Sequence, residues 1–119
     1  MSPSVTIGEI NIICTDLDRS VRFYQDVLGF EVLEQENRAC HMRCGQTRFL
    51  LLAIAQSKPP RPPYGQTPEF SIDLMVGDLA GVVVYFKAHR VEFVAEWVAN
   101  EKRAFIRDPD GLVFEVIQS

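Results

Sequence analysis

The strongest constraint on this chain is that it is written twice. Laid over itself at an offset of 62 residues, Asp16-Leu17 falls on Asp78-Leu79, Ile10 on Ile72, Asn11 on Asp73 and Ile12 on Leu74. Val21 then falls on Val83 and Phe23-Tyr24 on Tyr85-Phe86. One deletion later, Phe30-Glu31-Val32 meets Val91-Glu92-Phe93. A period this long, used only twice, describes a paired module rather than a solenoid.

Each copy has the same layout. Residues 7–14 alternate, with Ile10 and Ile12 on one face and Glu9 and Asn11 on the other, which predicts a half-buried strand. Thr15 or Asp16 can cap the helix that follows, with Asp18 as a weaker capping-box partner. Leu17, Val21, Tyr24 and Leu28 recur at helical spacing, and Gly29 is the expected stop. Strands are predicted over 30–34, 39–44 and 48–55, the last two turning at Gly45-Gln46. In the second copy, residues 70–76 alternate, with Ile72 and Leu74 opposite Ser71 and Asp73. A helix carries Leu79, Val82, Val83 and Phe86, and strands follow over 91–95, 102–107 and 112–117. The fold class is α+β, built from paired βαβββ modules. Of the eleven residues 58–68 between them, five are proline, so no regular element survives and a stiff, extended connector is expected. The expected division is one domain, 1–119, with module one at 5–56, a Pro-rich linker at 57–68 and module two at 69–119.

The last hairpin turns at Asp108-Pro109-Asp110-Gly111, where proline presets φ, the Asp side chains accept from nearby N–H groups and glycine tolerates positive φ. On the strand after it, Val113, Glu115 and Ile117 share one face. Glu115 is thus a carboxylate in an otherwise apolar strand. It needs a cation, hydrogen bonds, a raised pKa or solvent.

Composition narrows the functional classes. A net charge of −4 argues against nucleic acid and against anionic membrane surfaces, and suits neutral or cationic small ligands. The start of the chain shows no basic-then-apolar leader, and its longest apolar run, 49–55, is too short to span a bilayer. Cysteines number three, and Cys40 and Cys44 on one strand lie about 13 Å apart, too far for a disulfide. A reduced, cytoplasmic protein is the expectation.

Each module buries its Ile10/Ile12 or Ile72/Leu74 face under its own helix. The opposite faces carry Glu9 and Asn11, Ser71 and Asp73, and Glu115, and two such sheets side by side would form a trough for a small molecule. His41 and Arg43 share a strand face and either line that trough or face water. Trp97, Tyr64 and Phe105 offer stacking surfaces for a planar ligand or are plain packing. Arg103 and Arg107 share a face with Phe105 as an anion contact or a solvated edge. His41 points away from Cys40 and Cys44, which removes a Cys/His metal site.

The run from Glu9 to Phe30, EINIICTDLDRSVRFYQDVLGF, resembles the opening signature of the vicinal oxygen chelate superfamily, the glyoxalase/bleomycin resistance protein/dioxygenase group. The run from Arg107 to Glu115, RDPDGLVFE, resembles its closing signature. The resemblance covers nearly the whole chain. It implies the glyoxalase/bleomycin resistance/dihydroxybiphenyl dioxygenase-like fold and, commonly, a homodimer. It leaves the activity open, since one fold hosts many chemistries. It also implies where a metal would be held: a His seven residues before the helix-opening Asp, its equivalent in module two, a Glu four after the turn glycine, and a ligand on the last strand of module one. Here those positions hold Glu9, Ser71, Glu115 and a strand without His, carboxylate or amide. Imidazole-rich Zn or Ni binding does not fit, whereas a carboxylate site for Mg or Mn on Glu9, Glu115 and Asp73 remains open.

The expectation is therefore metal-independent binding of a small organic molecule, cationic or aromatic, at Glu9, Asn11, His41, Arg43, Ser71, Asp73, Trp97, Phe105 and Glu115, with no cofactor. The alternative is a divalent-metal-dependent lyase, isomerase or dioxygenase, such as a glyoxalase I-like lyase, with Glu115 and Glu9 on the ion.

Overall fold

The computed structural model describes residues 3–119. Met1 and Ser2, part of the expected leaderless start, lie outside the described residues. The chain divides into two compact units, Met1–Ser57 and Lys58–Ser119.

The first unit runs β1 (Ile10–Ile13), α1 (Leu17–Val21), a π-helical segment (Arg22–Val27), β2 (Glu31–Gln35), β3 (Ala39–Cys44) and β4 (Thr47–Leu52). Its sheet has the order β1-β4-β3-β2, with β1 parallel to β4 and the other pairs antiparallel. Asp16 caps α1, its Oδ1 accepting from the Arg19 N–H at 3.1 Å. The single helix expected here instead widens after Val21. The Leu28 N–H donates to Phe23 O, five residues back, at 3.0 Å. Adjacent side chains on an α-helix diverge by about 100°, yet Phe23 and Tyr24 are both buried. A wider turn lets both reach the core. Tyr24 packs edge-on to Phe23 and against Phe30, which meets Phe49 at a 5.0 Å centroid distance. Ile12, Cys40, Met42 and Leu51 complete that core.

The second unit repeats the plan with β5 (Ser71–Val76), α2 (Leu79–Ala88), β6 (Glu92–Phe93), β7 (Arg103–Arg107) and β8 (Val113–Gln118). Its sheet order is β5-β8-β7-β6, again with the first and last strands parallel. Asp78 caps α2 as Asp16 caps α1, accepting from the Gly81 N–H at 3.1 Å. Leu79, Val83 and Phe86 of α2 are buried, as are Ala104, Ile106, Phe114 and Val116 on one face of the sheet. Burying one such side chain contributes roughly 1.5–3 kcal/mol. The strand expected over 91–95 shrinks to two paired residues, because Val94 is the last to bond β7 before the chain turns away.

The turn after β7 forms as its residues predict. Asp108 is buried and its Oδ1 accepts from the N–H groups of Asp110 and Leu112, both at 2.9 Å. Gly111 takes φ +93°, a conformation that excludes most side chains. No helix among the described residues is long and apolar enough to cross a membrane.

Candidate functional site

Strand alternation sends Ser71, Asp73, Phe105 and Glu115 to the face of the second sheet opposite its buried one. The register sets Asp73, Glu115 and Phe105 directly abreast across β5, β8 and β7. Glu115 is only 18% exposed, and its needs are met within the unit. The Arg103 guanidinium donates to Oε1 at 2.9 Å. The Ser71 and Tyr64 hydroxyls each lie 3.3 Å from Oε2 and 2.7 Å from one another. Two hydroxyls carry two protons, so the good geometry is a relay in which Tyr64 donates to Ser71 and Ser71 to the carboxylate. The Tyr64 ring lies 5.9 Å from Phe105, centroid to centroid. The requirement that the sequence posed for Glu115 is answered by a cation and hydrogen bonds together. Asp73 is exposed and opposite Glu115, a like-charge pair that Arg103 partly relieves.

In the first unit Glu9 lies just before β1, and its Oε2 meets Nδ1 of His41 on β3 at 2.8 Å. Arg48 stands 4.0 Å from the same oxygen, and Glu36 lies 3.8 Å from the other ring nitrogen of His41. A bulge between Val32 and Glu34 gives β2 an extra residue, so Glu34 rather than Leu33 pairs with His41. The Glu9 hydrogen bond raises the imidazole pKa above its ordinary value, against the lowering effect of partial burial. The nearby charges of Glu9, Glu36 and Glu34 add to the rise.

The other expected residues stand apart from these clusters. Asn11 is exposed beside Leu50, and Arg43 turns to Glu31 at 2.6 Å. Trp97 is half-buried in the loop after β6, donating its indole N–H to Glu101 O at 3.1 Å. None of the three cysteines is in a disulfide: Cys14 and Cys40 are buried, and Cys44 is exposed. Burial pushes the Cys40 thiol pKa up, away from reactivity. For two contributors the sequence reading does not give the partner. The sequence leaves Arg103 as an anion contact or a solvated edge on the Phe105 face, and the anion it meets is Glu115 on the next strand. Tyr64 lies in the Pro-rich stretch, where no periodicity tells which way a side chain points.

The donors suit a resident metal ion poorly. In the second unit Ser71 takes the first-strand position, and Glu115 already holds a guanidinium. In the first, β4 turns Arg48, Leu50 and Leu52 to the face that carries His41. No group of three or more His, Cys, Asp or Glu side chains among the described residues gathers closely enough to hold a metal.

Comparison with known proteins places this geometry. No curated protein matches the sequence. Among solved structures, the chain is similar to lactoylglutathione lyase from Agrobacterium tumefaciens, at 23% identity over 99% of this chain and 96% of that one, with a TM-score of 0.67. It is also similar to the trypanothione-dependent glyoxalase I of Leishmania major, at 24% identity over 97% and 87% with a TM-score of 0.74. A glyoxalase family protein from Enterococcus faecalis matches at 23% identity over 95% and 97%, with a TM-score of 0.73. At these identities the likeness is one of fold. The model of the Glyoxalase/Bleomycin resistance protein/Dioxygenase superfamily matches residues 6–116, nearly the full length, and the chain belongs to that superfamily.

Proposed function

We propose that this protein binds a small organic molecule on the open sheet face of its second unit, without the imidazole-rich metal site of metal-using relatives. The observation that carries this reading is the state of Glu115. The carboxylate of the closing motif is held by Arg103, Ser71 and Tyr64, in an arrangement that needs no ion. Around it the face offers an aromatic floor at Phe105 and a second, exposed acid at Asp73. That combination favours a flat, mostly apolar body carrying a hydrogen-bond donor or a positive charge.

The test is metal content of the purified protein, followed by melting curves with added Mg, Mn, Ni or Zn and with a panel of aromatic and cationic compounds. The expected result is less than stoichiometric metal, no shift with any ion, and a rise in melting temperature with a subset of the organic compounds. Stoichiometric metal that is lost in Glu115→Ala overturns the reading in favour of a divalent-metal enzyme.

A further inference from the structure

The stretch that joins the two repeats does more than connect them. Of the described residues 56–70, Tyr64 alone is not exposed. Its neighbours Pro62, Pro63, Gly65 and Gln66 all face solvent, in a tight turn closed by the Gln66 N–H on Pro63 O at 3.1 Å, with Gly65 at φ +93°. The arm is tied down before this turn by two side chains. Lys58 Nζ donates to Pro109 O at 3.1 Å and Arg61 Nε to Asp110 O at 3.2 Å. Beyond those ties, a solvated turn with no regular structure holds one phenol over Phe105, with its hydroxyl on Ser71 and Glu115.

We propose that Tyr64 is a resident stand-in for the ligand of this face, and that the ligand is a small ring bearing a hydroxyl, which takes the place of the phenol as the arm swings out. The inference rests on the small-molecule reading above and names its chemistry. An entering phenol can lie on Phe105, donate its proton to Ser71 and leave the relay to Glu115 intact, so the buried carboxylate stays satisfied throughout the exchange. A ring without a hydroxyl would leave Ser71 Oγ without its donor. The displaced arm loses one anchored side chain, while the Lys58 and Arg61 ties lie upstream of the turn and can persist. Occupation of the face by Tyr64 also scales the apparent affinity down to the fraction of molecules with the arm open.

The probe is p-cresol, the tyrosine side chain as a free molecule, with toluene as the same body without its hydroxyl. Both are titrated into wild type, Tyr64→Ala and Tyr64→Phe, with backbone amide shifts of Ser71, Phe105 and Glu115 and the ring signals of Tyr64 as readouts. In wild type, p-cresol is expected to move those amides and shift the Tyr64 ring signals towards solvent-exposed values. In Tyr64→Ala it should bind about tenfold or more tightly, once the competing ring is gone. Toluene should be at least about tenfold weaker than p-cresol in Tyr64→Ala. Tyr64→Phe, which keeps the ring and drops its hydroxyl bond, should bind p-cresol with intermediate affinity.

Binding confined to the alanine variant, with wild type unmoved at saturating p-cresol, overturns the proposal, because an excised ring leaves a hole that its own fragment can fill. Equal affinity for toluene and p-cresol overturns it as well. If other organic compounds bind this face in wild type with no gain in Tyr64→Ala, the stand-in falls and the broader small-molecule reading survives. If nothing binds either folded protein, both fall.

Discussion

In the first unit a carboxylate just before the first strand meets an imidazole from the third strand; in the second, a carboxylate on the last strand meets a guanidinium and two hydroxyls. The duplicated plan makes this difference informative. The topology is the same, the helix caps are the same Asp-Leu pair, and the parallel pairing of first and last strands recurs. What diverged is the open face. The first-strand position holds Glu9 in one copy and Ser71 in the other, and each sheet has found a separate way to keep its acid satisfied. One solution depends on a group that titrates near neutral pH, and the other does not.

The largest expected effects lie in what the copies share. Tyr24 and Phe86 occupy equivalent helix positions and are both buried. Replacing either with alanine should cost about 3–5 kcal/mol in urea unfolding. Tyr24→Ala should be the costlier, because Tyr24 lies in the π segment between Phe23 and Phe30. A smaller loss at Tyr24 would mean that the widened turn does not serve its packing.

The two hairpin glycines should separate more clearly. Gly111 has φ +93°, and a Cβ there would sit 2.9 Å from the Arg61 side chain, while Gly45 has φ +58° and open space around it. Gly111→Ala should cost roughly 2 kcal/mol and Gly45→Ala about 1 kcal/mol. Equal costs would show that the Pro-rich arm does not rest on the Gly111 turn in solution. Smaller again is the effect of removing a guanidinium. Arg103→Met leaves a mostly buried Glu115 without its cation and should cost about 1 kcal/mol. Arg43→Met breaks a pair exposed on both sides and should cost near zero, about 0–0.5 kcal/mol. The same unfolding curves read both.

Much of this was legible in the residues, and the limits have physical causes. Period-2 alternation fixed which side of each sheet Glu115, Asp73 and Ser71 would face, because a strand allows only two choices. The repeat carried the first module's layout onto the second, and Asp-Pro-Asp-Gly announced its turn through local chemistry alone. The partners of the acids were harder to see. Glu9 and His41 lie 32 residues apart in sequence, and their contact needs both the β1-β4-β3 order and a position just outside the strand. The shift that sets Glu34 against His41 is a bulge, and nothing in Glu31-Val32-Leu33-Glu34 marks where the extra residue goes. The hydroxyl partners of Tyr64 escaped for the opposite reason. Proline removes the periodicity on which direction is read, so the stretch revealed that it was irregular and nothing about where it lay.

The imidazole gives the comparison its finest test. His41 has a folded-state pKa raised above the ordinary 6.5, chiefly by its hydrogen bond to Glu9 and further by the charges of Glu9, Glu36 and Glu34. Below about pH 6.5 the ring is protonated whether the chain is folded or not, and its pairing with Glu9 contributes in full. As the pH climbs through the raised folded value, the proton leaves and that contribution fades. Wild type should therefore lose a few tenths to about 1 kcal/mol relative to Glu9→Gln between pH 6 and pH 8, the size expected for a pair about a quarter exposed. In the variant, the His41 ring should titrate lower than in wild type, since burial is then opposed only by the charges of Glu36 and Glu34. Arg103→Met supplies the contrast, because guanidinium stays charged across this range and its loss should lower stability by the same amount at both pH values. A pH slope unchanged by Glu9→Gln, or one that appears on Arg103→Met instead, would place the titrating contact in the wrong unit.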